Sequence, residues 1–314
     1  MVNNKKKIIL NIYSKNKSSI DDLLNKFSIS KKNSHKGENG KILIIGGSSL
    51  FHSASIWAAE ISSHFVDMVH YSSTKENNKI LLGLKSKFQN GMVIAKENLL
   101  DYVKEDNVVL IGPGMVRGKK EETWERESLD FAKLLKIENE AKYTYFLTKY
   151  LTASFPEKKY VFDAGALQMM NKPWLLKLRN QAILTPHSRE FEKLFETSLA
   201  YKSHEEKAKI VKEKAEKYNV TILLKSIVDI VSDGKQVAVI HGGNQGLTKG
   251  GTGDILAGLT TSFYCRNNSF DSCILSSYIL KCTSDMLFKS KGYWYNIDNV
   301  INTIPSVFKG ILLD

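Results

Sequence analysis

Residues 250–258, GGTGDILAG, place a carboxylate, Asp254, inside a run of glycines that leads into an apolar stretch beginning at Ile255. Glycines let a backbone approach an anion closely, and the apolar run predicts a helix whose first free N–H groups point at that anion. Phosphoryl transfer needs dipolar stabilisation of the equatorial oxygens and a group that takes the acceptor's proton. On this reading residues 251–253 supply the first and Asp254 the second. Beside a helix N-terminus Asp254 is expected to be a weak base, because the dipole favours its charged form. A weak base suffices for a loose transition state in which the acceptor proton leaves late. An acidic cap on a buried helix opened by a glycine turn accounts for GTGD equally well in isolation. No GxxxxGK[ST] loop occurs, and GPGMVR at 112 carries Arg117 where a dinucleotide fingerprint needs its third glycine, which disfavours ordinary P-loop and Rossmann mechanisms.

The elements that must position this segment are legible from residue 41 onward as short Ile- and Val-rich runs alternating with longer amphipathic stretches. That alternation predicts a three-layer α/β/α fold with a mostly parallel sheet. Strands are expected at 42–45, 68–71, 108–111, 160–162, 182–184 and 221–224, and runs at 229–231 and 237–240 flank Ser232, Asp233 and Gly234 as a hairpin. The sheet then has about eight strands. The parallel runs end in GGSS at 46, SST at 72, GPG at 112, DAG at 163, TPH at 185 and KS at 225. Ligands of open α/β sheets bind beyond the carboxyl ends of the strands, so these ends should line one site. Residues 1–33 read as a Lys-, Asn- and Ser-rich arm with one helix at 19–27, residues 34–314 as a single domain, and residues 119–158 as a surface helix pair.

The 45 Lys and Arg against 33 Asp and Glu give a net charge of +12, which attracts phosphorylated ligands. The basic residues are scattered and not interleaved with aromatics, so nucleic-acid binding is not expected. Cys265, Cys273 and Cys282 form no CxxC pair and have no His at zinc-site spacing, so no residue is assigned as a metal ligand. The apolar stretch at 8–10 stops at Asn11, and no run approaches membrane-spanning length. A cytoplasmic protein without membrane attachment is expected.

Taken in order, SHKGENG at 34, ILIIGGS at 42, LIGPGM at 110, VFDAGAL at 161, ILTPHSREFEKL at 183, ILLKS at 222 and GLTKGGTGDILAG at 246 form a series. The series resembles the ADP- or ATP-dependent NAD(P)H-hydrate dehydratases of the ribokinase-like superfamily. The resemblance implies that the hydroxyl of hydrated NADH or NADPH is phosphorylated, that phosphate is expelled and that the dihydronicotinamide ring is restored. It implies Asp254 as base and Gly253 as part of the anion hole, with Ala54, Gly114, Val116 and His187 touching the hydrate. The nucleotide, ADP or ATP with Mg²⁺ bridging its phosphates, is implied to lie against Lys225, Ser226, Ile227, Val228 and Asp229, with Asn244, Gly251, Thr252 and Gly253 completing the wall. It also implies self-association as a homo-oligomer, and a separate protein to interconvert hydrate epimers, since the epimerase domain fused to many relatives is lacking.

The chain departs from the family's pattern at several points. DAGAL stands where DADAL is usual, Val116 where GPGLG or GPGMG ends in glycine, Ser226 where glycine follows the lysine, and SLFHSAS where a PGYTGAA-like stretch is typical. A β-carbon at a loop that touches phosphate blocks it or shifts it. Two other readings stay open: a vitamin-precursor kinase of the same fold, and a nucleotide-binding relative without turnover.

Overall fold

The computed structural model describes residues 9–30, 32–86 and 88–313. One sheet contains β1 (Ile9–Tyr13), β2 (Lys41–Ile45), β3 (Met68–Ser72), β4 (Gly91–Val93), β5 (Val108–Ile111), β6 (Lys159–Phe162), β7 (Ala182–Leu184), β8 (Val220–Leu224), β9 (Asp229–Ser232) and β10 (Val237–His241). Their spatial order is β1-β10-β9-β8-β7-β6-β5-β2-β3-β4, and only the pairings of β9, to β8 and β10, are antiparallel. The strands are apolar at nearly every position because helices cover both faces. In β2, Ile42 and Ile44 pack into one layer and Leu43 and Ile45 into the other, all at most 3% exposed. Each such side chain contributes about 1.5–3 kcal/mol by leaving water.

The first layer holds α1 (Asp21–Leu24), α2 (Ser53–Ser62) and α3 (Lys75–Gly83), joined at the far end of the chain by α11 (Thr252–Tyr264), α12 (Ser269–Lys291) and α13 (Ile297–Leu312). The second holds α4 (Leu99–Glu105), α5 (Glu122–Arg126), α6 (Phe131–Leu135), α7 (Glu140–Ser154), α8 (Ala164–Met169), α9 (Ser188–Phe195) and α10 (His204–Tyr218). Within the first layer α2 and α11 are clamped where the Ser62 hydroxyl donates to the carbonyls of Ala58 (2.7 Å) and Gly258 (3.1 Å). Among the described residues no helix is long and apolar enough to cross a membrane.

Among the described residues ten strands replace the expected eight. Gly91–Val93 is too short to leave an alternation in the sequence, and Ile9–Tyr13 forms a strand only by lying parallel to β10. There Ile12 is buried and Tyr13 stacks on His241 with ring centroids 4.6 Å apart. The helix expected at 19–27 is reduced to a 3₁₀ turn, Lys17–Ile20, and the single turn of α1, and Phe27 leaves it to pack edge-on against Phe263. The expected surface pair at 119–158 is also corrected. Its main helix, α7, buries Tyr145, Phe146, Leu147 and Leu151, and Lys149 Nζ bonds the carbonyls of Trp124, Glu125 and Glu127 at the end of α5.

Candidate active site

β6, β7 and β8 are neighbours, so the residues that follow them, Asp163, Thr185 and Lys225, emerge side by side. Asp163 Oδ1 accepts from the Thr185 hydroxyl at 2.8 Å and from Lys225 Nζ at 2.6 Å. The carboxylate is buried, with 2% of its side chain exposed, whereas 17% of the Lys225 side chain reaches the cleft. The first turn of α11 comes down on this pair. Gly251 starts it at φ +106°, a left-handed conformation open to glycine, and a β-carbon there would strike the Trp57 ring. A β-carbon on Gly253 would lie 3.2 Å from Lys225 Nζ, so the helix N-terminus and the ammonium face one point.

Asp254 is the half-buried carboxylate of that turn. Burial first, and then the Asp163 charge, push its pKa up to about 7, with Lys225 pulling the other way. The expectation of a weak base is therefore corrected: desolvation outweighs the helix dipole, and Asp254 is matched to proton uptake near neutral pH. Burial pulls Lys225 down, but Asp163, Glu190 and Asp254 outweigh it and hold the ammonium charged above its ordinary range.

The raised Asp254 has a consequence for stability. Between the ordinary carboxyl pKa and about 7 the folded protein holds a proton that the unfolded chain gives up, so this contribution is present at low pH and lost as pH rises through 7. Asp254→Asn, which cannot ionise, is expected to be more stable than the parent at pH 8 by up to about 3 kcal/mol, and so to melt at a higher temperature. The difference should vanish near pH 4, and calorimetry at the two pH values checks it.

On one flank of the cluster a cavity of about 450 Å³ is lined by Lys225, Ser226, Ile227, Asp229, Asn244, Thr252 and Gly253. Asp229 fixes its floor by accepting from the Ser226 N–H (2.8 Å) and the Ser277 hydroxyl (2.7 Å). Lys281, 3% exposed, donates to the Ile227 carbonyl (3.0 Å) and lies 3.4 Å from both Asp229 Oδ2 and the Gly242 carbonyl. Asn244 accepts from the Gly246 N–H and the Tyr295 hydroxyl, each at 3.0 Å. Val228 packs toward the second layer and Gly251 is buried beneath the turn, so neither lines the cavity.

On the other flank, over β5, β2 and β3, Gly114 abuts Ala54: its absent β-carbon would lie 3.0 Å from that of Ala54. Val116, two residues on, lines a second cavity of about 550 Å³ with Gly47 and Met115. His187 caps α9, its Nδ1 accepting from the Glu190 N–H at 3.3 Å while Glu190 Oε2 accepts from the His187 N–H at 3.0 Å. The backbone bond from Lys225 N–H to the Pro186 carbonyl (2.8 Å) ties this cap to the cluster.

The NAD(P)H-hydrate dehydratase family profile matches residues 42–306. The chain belongs to the NAD(P)H-hydrate dehydratase family. It is 31% identical to a bifunctional NAD(P)H-hydrate repair enzyme of Methanocaldococcus jannaschii, with 88% of this chain and 50% of that protein covered, so it spans about half the length of that relative. It is 29% identical to the ADP-dependent (S)-NAD(P)H-hydrate dehydratase of Nitrosopumilus maritimus, covering 91% of this chain and 95% of the relative. The ADP/ATP-dependent dehydratase of Bacillus subtilis, crystallised with ATP and Mg²⁺, superposes with a TM-score of 0.73 at 18% identity, over 94% of this chain and 97% of that one. A ribokinase-like superfamily protein of Enterococcus faecalis superposes at 0.75 and 20% identity, over 97% of each chain. The fold is ribokinase-like.

In this dehydratase-family chain Gly165 stands where the usual DADAL has its second carboxylate, and the structure gives the reason. A β-carbon on Gly165 would collide with the carbonyl oxygen of Met115, within the turn that carries Gly114 and Val116. Gly165→Asp is therefore expected to lower both melting temperature and activity rather than improve either, which thermal unfolding and turnover of the variant would check. Asp163, Thr185, Glu190 and Lys281 escaped the sequence reading as site residues. A strand-end carboxylate beside a strand-end lysine was the available signal for Asp163, but Lys281 is one lysine of a long helix and becomes visible only in space.

Proposed function

We propose that the protein dehydrates hydrated NADH and NADPH at the expense of ADP or ATP. The observation that carries this reading is the Asp163–Lys225–Asp254 cluster standing between two cavities. The donor nucleotide would occupy the one bounded by Lys225, Asp229, Asn244 and Gly253, and the hydrate the one reached past Ala54 and Gly114. Asp254 takes the proton of the hydrate's hydroxyl as that oxygen attacks the terminal phosphorus, and the bridging oxygen of the donor leaves with its electron pair. Lys225 and the N–H groups at the start of α11 stabilise charge on the equatorial oxygens. The C–O bond of the phosphorylated hydrate then breaks, phosphate departs with the electron pair, and loss of a ring proton restores the dihydronicotinamide. Asp163 keeps Lys225 charged and aimed.

Mg²⁺ bound to nucleotide phosphates with one or two carboxylates is an ordinary arrangement, and Asp163, beside Lys225, is the carboxylate that would be available to it. When bound, it would neutralise charge on the phosphates. Product analysis tests the reading against the vitamin-precursor kinase: one free phosphate per NADH formed supports dehydration. A stable phosphorylated product from a hydroxymethylpyrimidine or hydroxyethylthiazole, with hydrated NADH untouched, overturns it.

A further inference from the structure

Gly242, Gly243 and Asn244 form one wall of the cavity beside Lys225, and what holds that wall lies outside the catalytic cluster. Gly242 and Gly243 follow β10 at φ +120° and +73°, left-handed conformations in which glycine gives up the most backbone freedom. Two such residues in a row have no side chains to fix them, so their shape depends on what their peptide groups bond. One turn of α12 supplies the partners. The Gly242 carbonyl lies 3.4 Å from Lys281 Nζ, the Gly243 N–H donates to Asp285 Oδ2 at 3.4 Å, and the Asn244 N–H donates to the Ser284 hydroxyl at 3.1 Å.

Asp285 is only half-buried, and its orientation is set from the other end of the chain. Ser14, the residue after β1, donates its hydroxyl to the same Oδ2 at 2.6 Å. Ser14 is itself anchored, because its N–H donates to the His241 carbonyl at 3.0 Å and its carbonyl accepts from the Cys282 thiol at 3.2 Å. A β-carbon on Gly242 would strike the Ser14 side chain, so glycine at 242 is what lets that hydroxyl reach Asp285.

Resting on the reading of this cavity as the donor site, we propose that Ser14 and Asp285 are positioning residues for the donor nucleotide. Ser14 orients the Asp285 carboxylate, and the carboxylate holds the two-glycine wall in the shape that binds. Neither residue lines the cavity, so their effect is to order the wall before the nucleotide arrives, which otherwise costs binding free energy. The effect falls on donor affinity and not on transfer, because Lys225 is held separately by Asp163 and Asp254 by the first turn of α11.

Calorimetric titration with ADP and with ATP, alongside steady-state kinetics, tests this on the full chain. Ser14→Ala is expected to weaken both nucleotides about three- to tenfold, the size of one net hydrogen bond. Its kcat at saturating donor and its KM for the hydrate should stay at the parent's values. Asp285→Ala should lose at least as much, and adding Ser14→Ala to it should cost nothing further, since Ser14 acts through Asp285. Ser19→Ala controls for general loosening of the arm. It removes a hydroxyl that donates to the Asn16 carbonyl (2.6 Å) and accepts from the Tyr13 N–H (3.3 Å), and donor affinity should not change. Unchanged donor affinity in Ser14→Ala overturns the proposal, as do additive losses in the double variant or an equal loss in Ser19→Ala. Failure of the parent to bind either nucleotide counts instead against the donor-site reading, and removes this inference with it.

Discussion

Asp254→Asn should lower turnover by about 10²–10⁴-fold, the range for removing a positioned general base, while ADP and ATP affinity should stay within a few fold. The separation follows from geometry. Asp254 does not line the donor cavity, whereas Lys225, Asp229 and Asn244 do. The parent's activity should rise with pH through about 7, because Asp254 must be ionised to accept a proton and burial beside Asp163 keeps it protonated below that point. The variant's residual rate should lack that limb. A pH–rate profile of both proteins, with nucleotide binding measured in parallel, checks each part. The burial that would make the group a useful base also costs stability when it ionises, so this variant should combine a lower rate with a higher melting temperature in alkaline buffer.

Lys225→Met should be damaging in a different way. It removes the cation proposed to face the phosphate and leaves Asp163, 2% exposed, with the Thr185 hydroxyl as its remaining side-chain partner. An uncompensated buried charge of this kind destabilises by about 3–5 kcal/mol. Activity should fall by at least the factor expected for Asp254→Asn, because the charge acts on the transferring group itself. Adding Asp163→Asn to Lys225→Met removes the stranded charge, so stability should return while activity does not. Denaturant unfolding and turnover of the single and double variants separate the two roles. If the double variant stays as unstable as the single one, the Asp163–Lys225 pair is not what the lysine was holding.

Much of the frame could be read in advance for one reason. Strands buried on both faces must be apolar throughout, so β2, β5, β6 and β8 announce themselves, and their polar ends mark the ligand edge. The elements that escaped lack that signature. β1 contains Asn11 and depends on β10, β4 is three residues long, and α7 hides its burial in a mixture of aromatic and threonine positions. At the site, GTGD and the lysine of ILLKS were legible because glycine and charge are conspicuous in a sequence. The sign of the Asp254 shift was not, since the sequence displays the helix dipole but conceals the desolvation that overrides it. The missing second carboxylate was visible only as an absence, and its cause, the Met115 carbonyl against Gly165, belongs to tertiary structure.

The central claim is that Asp254 serves a nucleotide-driven dehydration. It is tested most directly by following absorbance in the reduced-nicotinamide band while hydrated NADH is incubated with the protein, Mg²⁺ and either ADP or ATP. Recovery of the band that requires nucleotide and is lost in Asp254→Asn is the predicted result; no recovery with either donor, or equal recovery in the variant, would contradict it.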